Sequence, residues 1–279
     1  MDKNTTIVLF GGNGMLGRAL QVALTGYHLI SLKHYDVDIT NKTKVLEKIS
    51  EIKPDIIINA AAYTKVDDCE TNQEIAMLVN GRAPEFIAQA ARAANASLVH
   101  YSTDYVFSGT KPTGYSETDQ PDKPVNVYGA SKLAGERAVQ QWEKSYIIRT
   151  AWLYGQHGPN FVDTMLKLAD SKPELTVVND QHGSPTYVVD LAEATLELLE
   201  SNQAFGIYHR TNNGTCTWYE FAQEIFKQTK RTIMVKPCAS EAFPRPAHRP
   251  NYSILLNTKL PALRSWQDAL ADYLATSRG

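Results

Sequence analysis

Tyr128 and Lys132 stand four residues apart in Tyr128-Gly-Ala-Ser-Lys132, a spacing that puts a phenol and an ammonium on one face of a helix. A positive charge beside a phenol favours the phenolate, so the pair is expected to draw Tyr128 below its ordinary pKa of about 10 and make it a usable proton donor near neutral pH. The same spacing is common on exposed helix faces, and its company decides what it means. Upstream, Ser102-Thr103-Asp104 closes an apolar run of strand length, and ligand sites in parallel sheets lie beyond the carboxyl ends of the strands. A hydroxyl there can hold a substrate carbonyl oxygen against Tyr128. A third group is the loop Gly11-Gly12-Asn13-Gly14-Met15-Leu16-Gly17, which follows the run Ile7 to Phe10 and opens the helical pattern Leu16, Leu20, Ala23, Leu24. Glycines at 11, 14 and 17 allow a tight turn and close approach of a pyrophosphate, whose charge is favoured at a helix N-terminus. Gly11, Asn13, Gly14, Met15 and Gly17 are therefore candidate cofactor contacts. The alternative is a turn needed only to pack helix on strand.

Such residues need a scaffold. Strand-length apolar runs recur at Thr6 to Phe10, His28 to Leu32, Asp55 to Ala60, Ser97 to Ser102 and Tyr146 to Ala151, with helix-like stretches between most of them. This alternation predicts an α/β fold, a Rossmann-like doubly wound parallel sheet covered by helices. Apolar residues at three- and four-residue intervals place helices near Lys42 to Ile52, Asn72 to Val79, Arg82 to Ala94 and Tyr128 to Trp142. Thr71-x-x-Glu74 reads as a capping box opening the second of these. After about residue 152 the beat loosens through Gly155, Gly158 and Pro159. A dinucleotide-binding domain is expected over residues 1–152, rejoined by about 181–205, where Val188 to Leu199 is again helical in pattern. Residues 153–279 are expected to form mainly a smaller substrate-binding domain. Within it, Phe161 to Ala169 reads as a helix, Leu175 to Val178 as an apolar run, and the proline-rich Ala242 to Tyr252 as an extended loop.

Composition narrows the class. The 279 residues are 43% hydrophobic and 21% charged, and 28 Lys+Arg against 30 Asp+Glu leave a net charge of -2, so nothing points to a nucleic acid or an anionic membrane as partner. The apolar start, Ile7 to Phe10, is far too short for a secretory signal or a membrane span. A cytoplasmic location is expected. Cys69, Cys216 and Cys238 are widely spaced with no C-x-x-C and read as reduced thiols. The seven histidines show no metal-ligand spacing, so no metal is expected.

Taken together, the glycine loop, the strand-end Ser/Thr and Tyr-x-x-x-Lys resemble the extended short-chain dehydrogenase/reductase family. The runs Asn59 to Asp67, His100 to Phe107, Asn126 to Gly129, Arg149 to Gly155 and Asn179 to Thr186 are similar, within it, to the dTDP-4-dehydrorhamnose reductases. So are Gly214 to Tyr219 and Arg249 to Ser253. The resemblance implies hydride transfer from a nicotinamide to C4 of dTDP-4-dehydro-6-deoxy-L-mannose, giving dTDP-L-rhamnose. Tyr128 would protonate the forming alkoxide, Lys132 would hold the nicotinamide ribose, and Thr103 would hydrogen-bond the reacting oxygen. Val66, Asp104, Tyr105 and Trp152 would line the sugar pocket. Ala61, Ala62, Tyr63 and Thr64 would lie along the cofactor, with Asp38 and Ile39 near its adenosine half. Asn160, Gln181 and Arg249 are candidate nucleotide-end contacts, the arginine because its fork of donors matches a pyrophosphate, although each serves equally well as a loop-fixing residue.

NADPH is the expected cofactor, with NADH as a possible second one. An acid at the end of the second strand would bind a ribose 2′-hydroxyl and repel a 2′-phosphate; here the strand runs into Lys33 and His34, with Asp36 the one acid near enough to reverse the preference. A sugar-nucleotide dehydratase would need an extra acid, a Glu directly after Thr-Asp in the dehydratases this chain resembles, and that position is Tyr105. An epimerase stays open, as does a regulatory subunit resembling the beta subunit of methionine adenosyltransferase. The expected partner is a dTDP-sugar, with the chain a monomer or homodimer.

Overall fold

The computed structural model describes residues 1–121 and 123–276; the last three residues of the expected second domain lie outside them. The chain begins with β1 (Thr6–Phe10), α1 (Met15–Ala23), β2 (His28–Leu32), α2 (Lys42–Ile52) and β3 (Ile56–Asn59). It continues with α3 (Val66–Thr71), α4 (Gln73–Ala76), a π-helical stretch Met77–Arg82 that runs into α5 (Ala83–Ala94), and β4 (Ser97–Thr103). Next come α6 (Val127–Val139), β5 (Ser145–Thr150), β6 (Leu153–Tyr154), α7 (Phe161–Ala169), β7 (Glu174–Val178), β8 (His182–Gly183) and β9 (Thr186–Tyr187). The chain closes with α8 (Val188–Glu200), β10 (Gly206–His209), β11 (Cys216–Thr217), α9 (Trp218–Gln228), β12 (Met234–Cys238) and α10 (Trp266–Thr276).

Six strands form one parallel sheet in the order β10-β5-β4-β3-β1-β2. From β1 the chain goes to β2 on one side and β3 on the other, so the order reverses between β1 and β3; the crevice outside such a switch point is where ligands bind in this architecture. The period of two along each strand divides the core. Ile7, Leu9, Ile58 and Ile148 face α1 and α8, where Leu20 and Leu191 are fully buried. Val8, Phe10, Ile57 and Ile147 face α2 and α5, against Val45, Ile49 and Ile87. Each such side chain contributes about 1.5–3 kcal/mol on burial. The second lobe is built on α7 and α9 with the parallel pair β7 and β12, and its Phe221, Trp266 and Tyr273 belong to the same cluster as Ile7 and Leu9.

The region before α5 departs from expectation. No capping box forms at Thr71: that residue ends α3, its hydroxyl closes the preceding turn by donating to the Asp68 carbonyl at 3.1 Å, and α4 starts from Asn72 without a side-chain cap. The capping box lies instead at Thr217 and Glu220, opening α9. The π-helical stretch lets two helices meet closely: a Cβ on Gly135 of α6 would fall 2.2 Å from the Asn80 carbonyl oxygen. All three cysteines are free, Cys69 and Cys216 being buried. Among the described residues no helix is long and apolar enough to cross a membrane, and no His/Cys/Asp/Glu group has the makings of a metal site.

Candidate active site

The switch-point crevice is floored by the loops after β1 and β3. Gly11 has φ +81°, and a Cβ there would fall 2.6 Å from the Ala61 nitrogen, so the two loops touch only because Gly11 has no side chain. Gly14 is the N-cap of α1 and offers no capping side chain, which leaves the first helical N–H groups and the positive end of the dipole to a ligand. The crevice, about 300 Å³, is lined at its inner end by Gly11, Asn13 and Gly14 and farther out by Lys33, His34, Asp38 and Ile39. These residues fit a dinucleotide: a side-chain-free cradle for the pyrophosphate beside an open helix end. Asp36 is turned onto its own loop, where a carboxylate oxygen accepts from the Lys33 N–H at 2.8 Å. Asp38 accepts from the N–H and hydroxyl of Thr40, which holds its carboxyl below the usual range. Gly17 lies beneath the loop, its Cβ position 2.2 Å from the Gly11 carbonyl oxygen. Leu32, Val37 and Val79 also line the crevice; they contribute shape alone, and apolar residues carry no chemical signature in a sequence.

The crevice runs through Gly14, Ala61 and Ala62 into a cleft of about 570 Å³. Met15, Thr64 and Val66 line it from one side, Thr103, Asp104, Tyr105, Tyr128 and Lys132 form its floor, and Trp152 stands at its wall. Tyr63 does not line it. Its backbone N–H donates to the Asn80 side chain at 2.8 Å and its carbonyl accepts from the same amide at 2.9 Å, which fixes the flanking residues from within the π-helical stretch.

α6 carries Tyr128 and Lys132 into the cleft. Its N-terminus is fixed by the Asn126 side chain, which accepts from Gly129 N–H at 2.7 Å, and by Glu70, which accepts from Val127 N–H at 2.8 Å. The Lys132 ammonium is buried and donates to the Tyr101 carbonyl at 2.6 Å. Burial pushes its pKa down to about 8, opposed by the carboxylate of Glu136 one turn farther on. Glu136 is itself held by Arg149 in a fully buried bidentate pair at 2.8 and 2.7 Å. Tyr128 does not follow the expected direction: burial first, and then the charge of Asp104, raise its pKa well above the ordinary value, against a hydrogen bond with the Thr103 side chain that lowers it. The fold spends the Lys132 ammonium on a backbone carbonyl, so desolvation of the phenol wins. The Thr103 hydroxyl donates to Asp104 at 2.8 Å, and burial pushes the Asp104 carboxyl up to about 6.

The three nucleotide-end candidates do not line either cavity. Asn160 caps α7 by accepting from Asp163 N–H at 2.9 Å, and its amide donates to the Gly155 carbonyl. Gln181 accepts from the Trp218 indole N–H at 3.2 Å and donates to Ser240 at 2.8 Å. Arg249 makes a two-pronged ion pair with Asp67, with one prong at 2.9 Å, and hydrogen-bonds Tyr105. It thereby straps the loop after β12 to α3, which begins at Val66, and holds Asp67 down to about 2. Trp218 also stands on the cleft wall, with Leu153, His157, Gly158 and Pro159, and none of these carries a spacing that marks it as a site residue.

The chain matches the family described as RmlD substrate binding domain over residues 5–278. It is 40% identical over 277 residues to the spore coat polysaccharide biosynthesis protein SpsK of Bacillus subtilis (strain 168), covering 97% of each chain. It is 42% identical over 276 residues to the dTDP-4-dehydrorhamnose reductase of Streptomyces griseus, covering 94% of this chain and 90% of that one. The solved structure of dTDP-4-dehydrorhamnose reductase from Bacillus anthracis str. Ames in complex with NADP aligns with a TM-score of 0.94 at 40% identity, covering 98% of this chain and 99% of that one. Because these matches run through the second lobe as well as the sheet, well beyond a dinucleotide crevice that many folds share, the chain belongs to the RmlD substrate binding domain family, among the extended short-chain dehydrogenases/reductases.

Proposed function

We propose that the chain catalyses NADPH-dependent reduction of the C4 keto group of dTDP-4-dehydro-6-deoxy-L-mannose, giving dTDP-L-rhamnose. The observation that carries this is the junction of a side-chain-free dinucleotide crevice with a cleft holding Thr103, Tyr128 and Lys132, in a chain whose close relatives bear that enzyme's name. Bound NADPH supplies the hydride. Tyr128 gives its phenolic proton to the C4 oxygen as that oxygen becomes an alkoxide, and the phenolate recovers a proton from water. A positioned acid of this kind is worth about 100- to 10,000-fold. Thr103 turns onto the C4 oxygen the hydroxyl proton that it otherwise gives to Asp104, and Lys132, held by the Tyr101 carbonyl, would bind the nicotinamide ribose. Gly11, Asn13, Gly14 and Met15 would hold the pyrophosphate end, Lys33, Asp38 and Ile39 the adenosine end, and Ala61, Ala62 and Thr64 the stretch between. Val66, Asp104, Tyr105 and Trp152 would surround the sugar. The proposal extends to a monomer or homodimer in the cytoplasm, with a dTDP-sugar as its partner.

The test is turnover by the purified protein alone: NADPH consumption on addition of the dehydrorhamnose nucleotide, with dTDP-L-rhamnose identified as product. Tight NADPH binding without turnover would replace this reading with a regulatory one. Turnover of a GDP- or UDP-linked ketosugar in preference would move the substrate elsewhere.

A further inference from the structure

Trp152 occupies the left-handed backbone region, with φ +47°, where a bulky side chain is strained. Strain of that kind persists only where the surroundings over-determine it. Here they do so through two residues from distant parts of the chain. The Trp152 indole stacks flat on that of Trp218, ring centroids 3.5 Å apart and planes within 8°. A Cβ on Gly183 would fall 2.4 Å from Cε2 of Trp152 and 2.7 Å from its Nε1, so the ring fills the space a side chain would take. Trp218 is fixed in turn. It is the first residue of α9, behind the Thr217 and Glu220 capping box, it packs on Phe161 with centroids 4.6 Å apart, and its N–H holds Gln181.

We infer that Trp218 is a positioning residue for the sugar subsite: with Gly183 it clamps Trp152 in the one orientation that walls the cleft, and it orients Gln181 at the same time. The inference rests on reading this cleft as a sugar-nucleotide site. Paired indoles offer a flat apolar surface suited to the C–H face and methyl of a deoxy sugar. Such a wall does not distinguish a ketone from its alkoxide, so it binds ground state and transition state alike. Its loss therefore raises KM and leaves kcat nearly intact.

The experiment compares the full-length natural protein with Trp218→Leu, Trp218→Phe and Gly183→Ala. Three quantities are read: the near-ultraviolet circular dichroism couplet that two face-to-face indoles produce, kcat and KM for the dehydrorhamnose nucleotide, and NADPH affinity. The couplet should vanish in Trp218→Leu and change shape in Gly183→Ala. In both, KM for the sugar nucleotide should rise about tenfold or more while kcat stays within about threefold and NADPH affinity is unchanged. Trp218→Phe, which keeps a flat ring, should recover most of the KM. Loss of the couplet with an unchanged KM overturns the inference, and so does a fall in kcat as large as the rise in KM. Should Trp218→Leu fail to fold, Gly183→Ala decides alone, because it displaces Trp152 while leaving Trp218 in place; a natural KM there overturns the inference equally. A natural protein that does not turn over this nucleotide refutes the functional reading itself, which is visible before any variant is compared.

Discussion

Burial and the Asp104 charge both oppose ionisation of Tyr128, so at neutral pH the phenol keeps the proton it is to deliver. Tyr128→Phe removes that proton and preserves the ring's edge-on contact with Tyr105, 6.0 Å between centroids; kcat should fall at least about 100-fold with NADPH affinity little changed, and near-normal turnover would remove Tyr128 from the role. Asp104 offers a pH test. Its folded pKa of about 6 lies above its ordinary 3.8, so the folded state binds the proton more tightly than the unfolded state does. Its contribution is therefore fully present below about 4 and is lost as pH rises through about 6, a loss on the order of 2–3 kcal/mol. Relative to Asp104→Asn, the natural protein should lose denaturant resistance across that window. A constant difference between the two would show that the carboxyl does not titrate there. At the outer end of the crevice, Asp36 is occupied by the Lys33 N–H, while His34 and Lys33, its ammonium 5.5 Å from the centre of the Tyr35 ring, line the wall. NADPH should then be preferred over NADH in kcat/KM, and Lys33→Asp should shrink that preference by about tenfold; a natural preference for NADH would show that another group reads the ribose.

Among the elements, α1 depends on Gly17. A methyl there would meet the Gly11 carbonyl oxygen at 2.2 Å, an overpacking that costs about 1–3 kcal/mol unless the loop moves. Gly17→Ala should therefore weaken NADPH binding by roughly tenfold or more, measured by titration of the cofactor's fluorescence; natural affinity would mean the loop can shift without touching the phosphate site. Elements with a clear apolar run or helical spacing were legible: β1, β2, α2 and α7 begin and end where the pattern places them. α3 was not, since a six-residue helix with Cys69 as its one buried side chain has no period to detect. The Thr71 to Glu74 pair shows the limit of a local motif, because the preceding helix had already claimed the hydroxyl. That Tyr128 and Lys132 share one helix beside Thr103 could be read from spacing, whereas the state of Tyr128 could not. Its pKa depends on where the Lys132 ammonium is directed and on how deeply α6 is buried, and both are properties of the assembled cleft. Asn160, Gln181 and Arg249 were readable as polar residues in loops, but their partners, Asp163, Trp218 and Asp67, are set by packing.

At the scale of the molecule the two lobes share a core, since Ile7 and Leu9 of the sheet lie in one cluster with Phe221, Trp266 and Tyr273. Urea unfolding followed by far-ultraviolet dichroism and by tryptophan fluorescence should therefore give one coincident transition, and NADPH at a hundredfold excess over its Kd should move both probes together by about 2.7 kcal/mol. Separate transitions would show that the second lobe unfolds by itself. The sheet order also bears on how the protein is made. β5 ends at Thr150, but its outer neighbour β10 begins only at Gly206, so while a ribosome adds roughly 5–20 residues per second the hydrogen-bonding edge of β5, with Tyr146, Ile147 and Ile148 along it, stays unpaired for several seconds. An apolar strand edge left open is a template for joining other chains. Newborn copies of this protein thus pass through an interval, before Gly206–His209 emerges, in which an apolar strand edge stands open to other chains.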